Sequence, residues 1–368
     1  MLKDSEYDSV INNSYKIALV GMRSWAYFNV ARLYGNVTIL TDELHTLNSS
    51  GYQKVTREEM LNILVEELKP YIHDNTSDIA EFWVGSSINT KTLLGEIYLE
   101  QGEYEKAVEM FKNALESYGN APAIFKVDNT YEKKKYPELF INLDDNIAEV
   151  MTGVAFSFED GQKNILEDYF NPEFGMEVKP TNIIINNYIT DVDVFRGASV
   201  NYDTIPGTID QFYISKYSLD QTILFSADIP LYRAADLHLL LAEALNRLGQ
   251  TEFALALMNN GVKNMGSVPE GYSRWTRNLG VRGRLQLAPI VVPDGVNTIE
   301  YIEDMILRER SMELAFEGKR WLDLMRVARR RGAYYLAETV AAKYTDPSLK
   351  ESIRSKLYEP ANWYLPTK

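Results

Sequence analysis

The chain has 368 residues, 45% of them hydrophobic and 24% charged, which is the balance of a folded globular protein with enough material for a sizeable core. Its formal net charge of −14 repels a phosphate backbone and argues against nucleic acid as a partner; the absence of cysteine removes disulfides, thiolate metal sites and cysteine nucleophiles. The three histidines, His45, His73 and His238, stand far apart without an HExxH pair, so no metal and no cofactor are assigned.

In chain order, the N-terminus "MLKDSEYDSVINNSYKIALV" lacks the charged start, apolar core and cleavage site of a signal peptide. The first helical pattern is "GMRSWAYFNVARLYGNV", a weak repeat unit. A stronger one follows in "TKTLLGEIYLEQGEYEKAVEMFKNALESYG", where Leu94, Gly95, Tyr98, Gly102, Tyr104, Ala107, Phe111 and Ala114 fall on tetratricopeptide spacing. Small residues in that pattern let two helices cross, and aromatic ones fill the gaps between them. Residues 119–230 break the pattern. This excursion is rich in Tyr and Phe and contains the β-like runs "TNIIINNYIT" and "QFYISKYSL". A further repeat unit, "LLLAEALNRLGQTEFALALMNNGV", places Ala242, Leu245, Gly249, Ala254 and Met258 at the corresponding positions; within it the apolar run "LHLLLAEAL" is broken by Glu243 and is too short to cross a membrane. A smaller excursion, 265–297, carries "GYSRW". The fold class is therefore mainly α: four tetratricopeptide-type helix pairs with long, partly β or loop excursions. We expect one domain over 1–368, with the scaffold at about 10–118 and 231–345. Long irregular insertions in a compact chain are commonly functional, so ligand contacts are expected in the two excursions.

The last unit contains "ERSMELAFEGKRWLDLMR". On a helix over 300–317, Ile302, Met305, Ile306, Met312 and Phe316 form a stripe, with Glu309 and Glu313 inside or beside it. One reading is a general acid and base pair for glycan cleavage. The other is structural: buried carboxylates require cationic partners, and Arg310, Arg320 and Arg326 are close in sequence. Carboxylates on one helix are also held at a fixed separation, whereas glycosidase pairs flank a substrate from separate elements. The structural reading is preferred. Gly318 then ends the first helix in a left-handed conformation, and Trp321 and Leu324 pack back onto that helix.

This stretch resembles the hallmark helix pair of the SusD/RagB family of outer-membrane nutrient-binding lipoproteins. The matching residues are Glu309, Arg310, Glu313, Leu314, Phe316, Glu317, Gly318, Arg320, Trp321, Asp323, Leu324 and Arg326. "RSWAYFNVARLYGNV" is similar to the family's first repeat and "NWYLPTK" to its closing segment, with departures at Asn36, Thr38, Thr367 and Lys368. The resemblance implies a SusD-like scaffold and a non-catalytic, cell-surface protein. Such a protein captures an oligosaccharide or other nutrient and passes it to a SusC-like, TonB-dependent outer-membrane transporter. It also implies a signal peptide and a lipidated cysteine, and hence a membrane anchor, which the chain is expected to have lost by trimming.

Ligand residues vary within the family, so none carries over by motif. Composition directs attention to Trp275, Tyr272 and Arg274 in the second excursion, to Tyr202 in "VNYDTIPG", and to Trp83 beside the turn "FWVGSS". Two competing classes are a cytoplasmic repeat scaffold that binds peptide and a glycan-cleaving enzyme. The first would keep its repeats contiguous; the second needs a free carboxylate pair.

Overall fold

A computed structural model describes residues 9–40, 52–72, 87–116, 136, 139–140, 149–156, 161–172, 176–203, 211–217 and 227–366. Helices α1 (Ser9–Tyr34) and α2 (Arg57–Leu68) pack as the first pair, and α3 (Thr90–Gln101) and α4 (Tyr104–Glu116) as the second. Local chemistry sets their ends. Thr56 and Glu59 form a reciprocal capping box at the start of α2; Asn89 caps α3, and Gly102, in the left-handed region, closes it. The repeat spacing has a steric basis at Gly95, where a Cβ would come within 2.6 Å of the Phe111 ring. Only a residue without a side chain allows α3 and α4 to lie this close.

Two short strands between α1 and α2, β1 (Val37–Thr38) and β2 (Lys54–Val55), pair antiparallel. The first excursion contributes the short strand β3 (Val150–Val154), helices α5 (Leu166–Phe170) and α6 (Asn182–Asp191), and strands β4 (Val200–Asp203) and β5 (Gln211–Ile214), and β6 (Ile229–Arg233) follows at its end. β3 pairs antiparallel with β6, and β4 with β5. The β-like run "TNIIINNYIT" is thus a helix, α6. Thr181 caps it, and Ile184, Ile185 and Tyr188 are buried on one helical face, so tertiary burial overrides the β propensity of three consecutive isoleucines.

The third pair is α7 (Ala234–Arg247) with α8 (Thr251–Met258). In the fourth, α9 (Thr298–Glu313) is followed by α10 (Arg320–Arg331), and α11 (Ala333–Ala341) and α12 (Pro347–Leu357) complete the chain. The principal core joins residues of α1–α4, α7 and α8 with Ile302 and Ile306 of α9. A second cluster joins Leu324, Met325 and Ala328 of α10 to Leu336, Leu357 and Trp363.

Two details of the fourth unit differ from the sequence expectation. α9 stops at Glu313, and Phe316 and Gly318 lie in the following turn with φ of 68° and 76°, so Phe316 is off the helical stripe. Trp321 packs, half-buried, against the C-terminal cluster and donates from Nε1 to the Trp363 carbonyl at 3.2 Å. Salt bridges join the two helices. Arg310 bonds to Asp323 (2.8 Å) and to Asp236 of α7 (2.7 Å), Arg326 to Glu243 of α7 (2.7 Å), and Arg330 to Glu303 (2.5 Å). Burial raises the Glu243 carboxyl, but Arg326 and Arg330 outweigh it and hold the group well below its usual range. The closing segment returns to the C-terminal end of α1, where the Leu365 amide donates to the Leu33 carbonyl at 2.8 Å.

Candidate functional site

Glu309 and Glu313 are fully buried and surrounded by arginine. Glu309 meets Arg196 at 2.6 Å and Arg282 at 2.7 Å; Glu313 meets Arg233 at 2.6 Å, Arg284 at 2.8 Å and Arg196 at 3.3 Å. Glu149 bridges Arg233 and Arg284 from the far side, at 3.2 and 2.8 Å. Burial alone would raise the Glu313 carboxyl, but the guanidinium groups of Arg284, Arg233 and Arg196 hold it well below the usual carboxylate range. It is thus held as a buried anion, the opposite protonation state from that of a general acid.

The partners of these carboxylates are not the neighbouring Arg310, Arg320 and Arg326 but Arg196, Arg282 and Arg284 from the excursions and Arg233 just after the first of them. Arg196 follows α6, Arg233 ends β6, and Arg282 and Arg284 come from the second excursion. The open end of α9 is satisfied in the same way. Tyr188 donates to the Met312 carbonyl and Tyr136 to that of Glu313, each at 2.9 Å, and Lys216 donates to that of Ala315 at 2.8 Å. Burial lowers Lys216 to about 8 against the pull of Glu317, which it meets at 2.6 Å. The motif therefore fastens two excursions onto the scaffold as well as joining helices. The sequence signal that could have found the partners is the pair of arginines in "VRGRLQL" and the lone arginine of "YRAAD", charges set within otherwise apolar runs.

The proposed ligand residues separate. Trp275 is fully buried, donates from Nε1 to Glu116 at 2.7 Å and lies 5.2 Å from the Tyr272 ring, which in turn meets Phe253 edge-on at 4.6 Å. Both are core residues, because the second excursion folds its aromatics against α4 and α8; neither offers a face to a ligand. Arg274 is exposed beside them, and Trp83 lies outside the described residues.

Tyr202 is different. It is 43% exposed on β4, directly opposite Phe212 of β5, itself 40% exposed, and the two rings meet edge-to-face at 4.9 Å. Phe212 also lines a cleft of about 320 Å³ between α6 and the β4–β5 hairpin, with Ile185, Ile189, Val192, Val194 and Val200 on its walls. Ile189 and Val192 are 68% and 74% exposed. Val192 closes α6 with φ of 54°, a conformation a β-branched residue rarely adopts, and strain of this kind concentrates at functional surfaces. Phe212 was missed because nothing in sequence marks it as the cross-strand partner of Tyr202. A second pocket, of about 400 Å³, lies between α6, the turn after α9, α10 and α11, and is lined in part by Gly318, Arg320 and Trp321. Among the described residues, no group of acidic or histidine side chains could hold a metal ion.

This mainly helical fold matches that of solved SusD superfamily proteins. A SusD superfamily protein from Bacteroides vulgatus superposes with a TM-score of 0.72 at 17% identity, over 98% of this chain and 76% of that one. A laminarin-binding SusD-like protein superposes with a TM-score of 0.63 at 17% identity, over 95% of this chain and 77% of its own. SusD-like protein P38 of Formosa agariphila is 24% identical over 83% of this chain, which spans only 64% of that relative's length. Residues 187–367, just under half of the chain, match the SusD family model, and this part of the chain belongs to the SusD/RagB family.

Proposed function

We propose that this protein is a non-catalytic glycan-binding protein whose oligosaccharide rests on the Tyr202–Phe212 pair and the adjoining apolar cleft. The observation that carries this reading is the exposed aromatic pair at the rim of a cleft, on an excursion that the scaffold holds rigidly. Flat apolar rings suit the C–H faces of sugars, and a solvent-facing pair supplies them without rearrangement of the core. Membership of the SusD/RagB family and the structural likeness to a laminarin-binding relative support the ligand class. The burial and arginine pairing of Glu309 and Glu313 support binding over cleavage.

Delivery to a SusC-like, TonB-dependent transporter, and lipid anchoring at the outer surface, extend the proposal on the strength of the family. No helix among the described residues is long and apolar enough to cross a membrane, so retention there would depend on an anchor and a partner. A carbohydrate array, followed by an assay for released reducing ends, tests the core of the reading. Retention of a glycan without cleavage supports it; cleavage restores the enzyme, and indifference to every glycan favours a protein-binding scaffold.

A further inference from the structure

The second pocket has a different chemistry from the cleft. It encloses about 400 Å³, within the range of sites that take small organic ligands, and is lined by three cations, Lys179, Arg320 and Lys343, beside the aromatic residues Trp321 and Phe316. Among the described residues no Asp or Glu lines it. Arg320 spends one donor on the Leu307 carbonyl at 2.8 Å, and Lys179 one on the Gln211 side-chain oxygen at 2.6 Å; among the described residues neither Arg320 nor Lys343 forms an ion pair. This contrasts with the other arginines of the fourth unit, Arg308, Arg310, Arg326, Arg329, Arg330 and Arg331, each of which meets a carboxylate.

The electrostatics agree with that count. Desolvation lowers Lys343 below its usual value, and the neighbouring Arg320 guanidinium lowers it further. Desolvation lowers Arg320 as well, against the pull of Asp323. Two cations that line one pocket in a chain of net charge −14 are a local reversal of sign. The first turn of α10, which opens on the same pocket through Arg320 and Trp321, has no side-chain cap, so its free N–H groups add to the positive field. Trp321 is steadied by its bond to the Trp363 carbonyl, which fixes an aromatic wall beside the charges.

We infer that this pocket is a second ligand site, for an acidic sugar unit whose carboxylate lies between Lys179, Arg320 and Lys343 while its ring packs on Trp321. The site is separate from the Tyr202–Phe212 cleft and does not depend on it. The negative surface of the rest of the molecule would turn anionic glycans away except where this reversal occurs, so the pocket gives selectivity as well as affinity.

Lys179 and Lys343 both reach solvent, Lys343 from a partly covered position, and neither belongs to the buried core, so reversing them leaves the core untouched. The test is calorimetric titration of the wild type, of the Lys179→Glu/Lys343→Glu double variant and of Tyr202→Ala with trigalacturonate, its fully methyl-esterified form and sodium sulfate. The expected result is binding of trigalacturonate that weakens at least about tenfold in the double variant, weakens with salt and persists in Tyr202→Ala; the uncharged ester should bind roughly tenfold more weakly to the wild type. Equal affinity for acid and ester, no loss in the double variant, or no binding of trigalacturonate overturns the proposal. Sulfate binding as tightly as trigalacturonate overturns the sugar assignment and leaves only an anion hole. Neutral-glycan binding at the cleft is read separately, so failure of one site does not decide the other.

Discussion

The joint around Glu313 and the cleft beside Phe212 lie on opposite sides of one segment, residues 182–203, and are made of opposite materials. On the inner side Tyr188 and Arg196 reach a dry cluster of paired charges at the end of α9. On the outer side Ile189, Val192 and Tyr202 leave apolar surface in water. Charges that elsewhere would suggest catalysis are here consumed in attaching the excursion, and apolar groups that elsewhere would form core are left free. Paired, buried charge therefore marks the architecture of this segment, and unburied apolar surface marks the cleft.

Breaking the inner side should have the largest effect. Glu313→Gln leaves Arg196, Arg233 and Arg284 facing one another without their shared anion, and we expect a loss of about 3–5 kcal/mol in chemical denaturation. Replacing the whole cluster by apolar residues of similar volume would cost much less, because the desolvation of the charges disappears with them. A Glu313→Gln protein with wild-type stability would remove the joint from this account.

The same side also predicts a pH profile. His238 is buried, its Nδ1 is 2.6 Å from the Ala234 carbonyl, its Nε2 is 2.9 Å from the Asn278 amide, and desolvation lowers it to about 4. Above pH 6.5 the ring is neutral in folded and unfolded chains and contributes nothing. As pH falls from 6.5 to 4 the unfolded chain takes a proton that the folded chain refuses, so stability drops, by on the order of 3 kcal/mol if the full shift is realised. Burial notwithstanding, Lys319 and Arg310 hold Asp236 at about 2, so its contribution is lost only below pH 4. Between pH 6.5 and 4 the His238→Gln variant should lose less stability than wild type; what it still loses near the lower end belongs to carboxylates such as Glu243 and Glu313, which are held below their usual range.

A smaller effect is expected at Trp321. Because the ring is half-buried against the C-terminal cluster, Trp321→Ala should cost about 2 kcal/mol, below the value for a fully buried tryptophan. A loss of 4 kcal/mol or more in the same melt would mean that the ring fills the α9–α10 joint after all.

Much of the scaffold was legible because its determinants are local. Gly95 and Phe111 sit at repeat spacing, and each repeat pair is short enough for its contacts to be read along the chain. The site was less legible because its determinants are distant. Glu309 and Arg196 stand 113 residues apart, and Glu313 and Arg233 stand 80 apart, and no periodicity connects them. The arginines adjacent to the motif were the obvious partners and the wrong ones. Trp275 and Tyr272 misled for a related reason: an aromatic in an irregular segment carries no local sign of whether the segment folds inward. Tyr202 differs from them only in lying on a two-stranded ribbon with a solvent face.

The smallest effect on stability and the largest on binding should coincide at that ribbon. Tyr202→Ala combined with Phe212→Ala removes two exposed rings and should change stability by no more than about 1 kcal/mol. The most direct measurement is titration of wild type and this double variant with the glycan selected by the array, with a melting curve on each sample. The account predicts an unchanged melt and binding at least about tenfold weaker. Wild-type affinity in a normally folded double variant would contradict it.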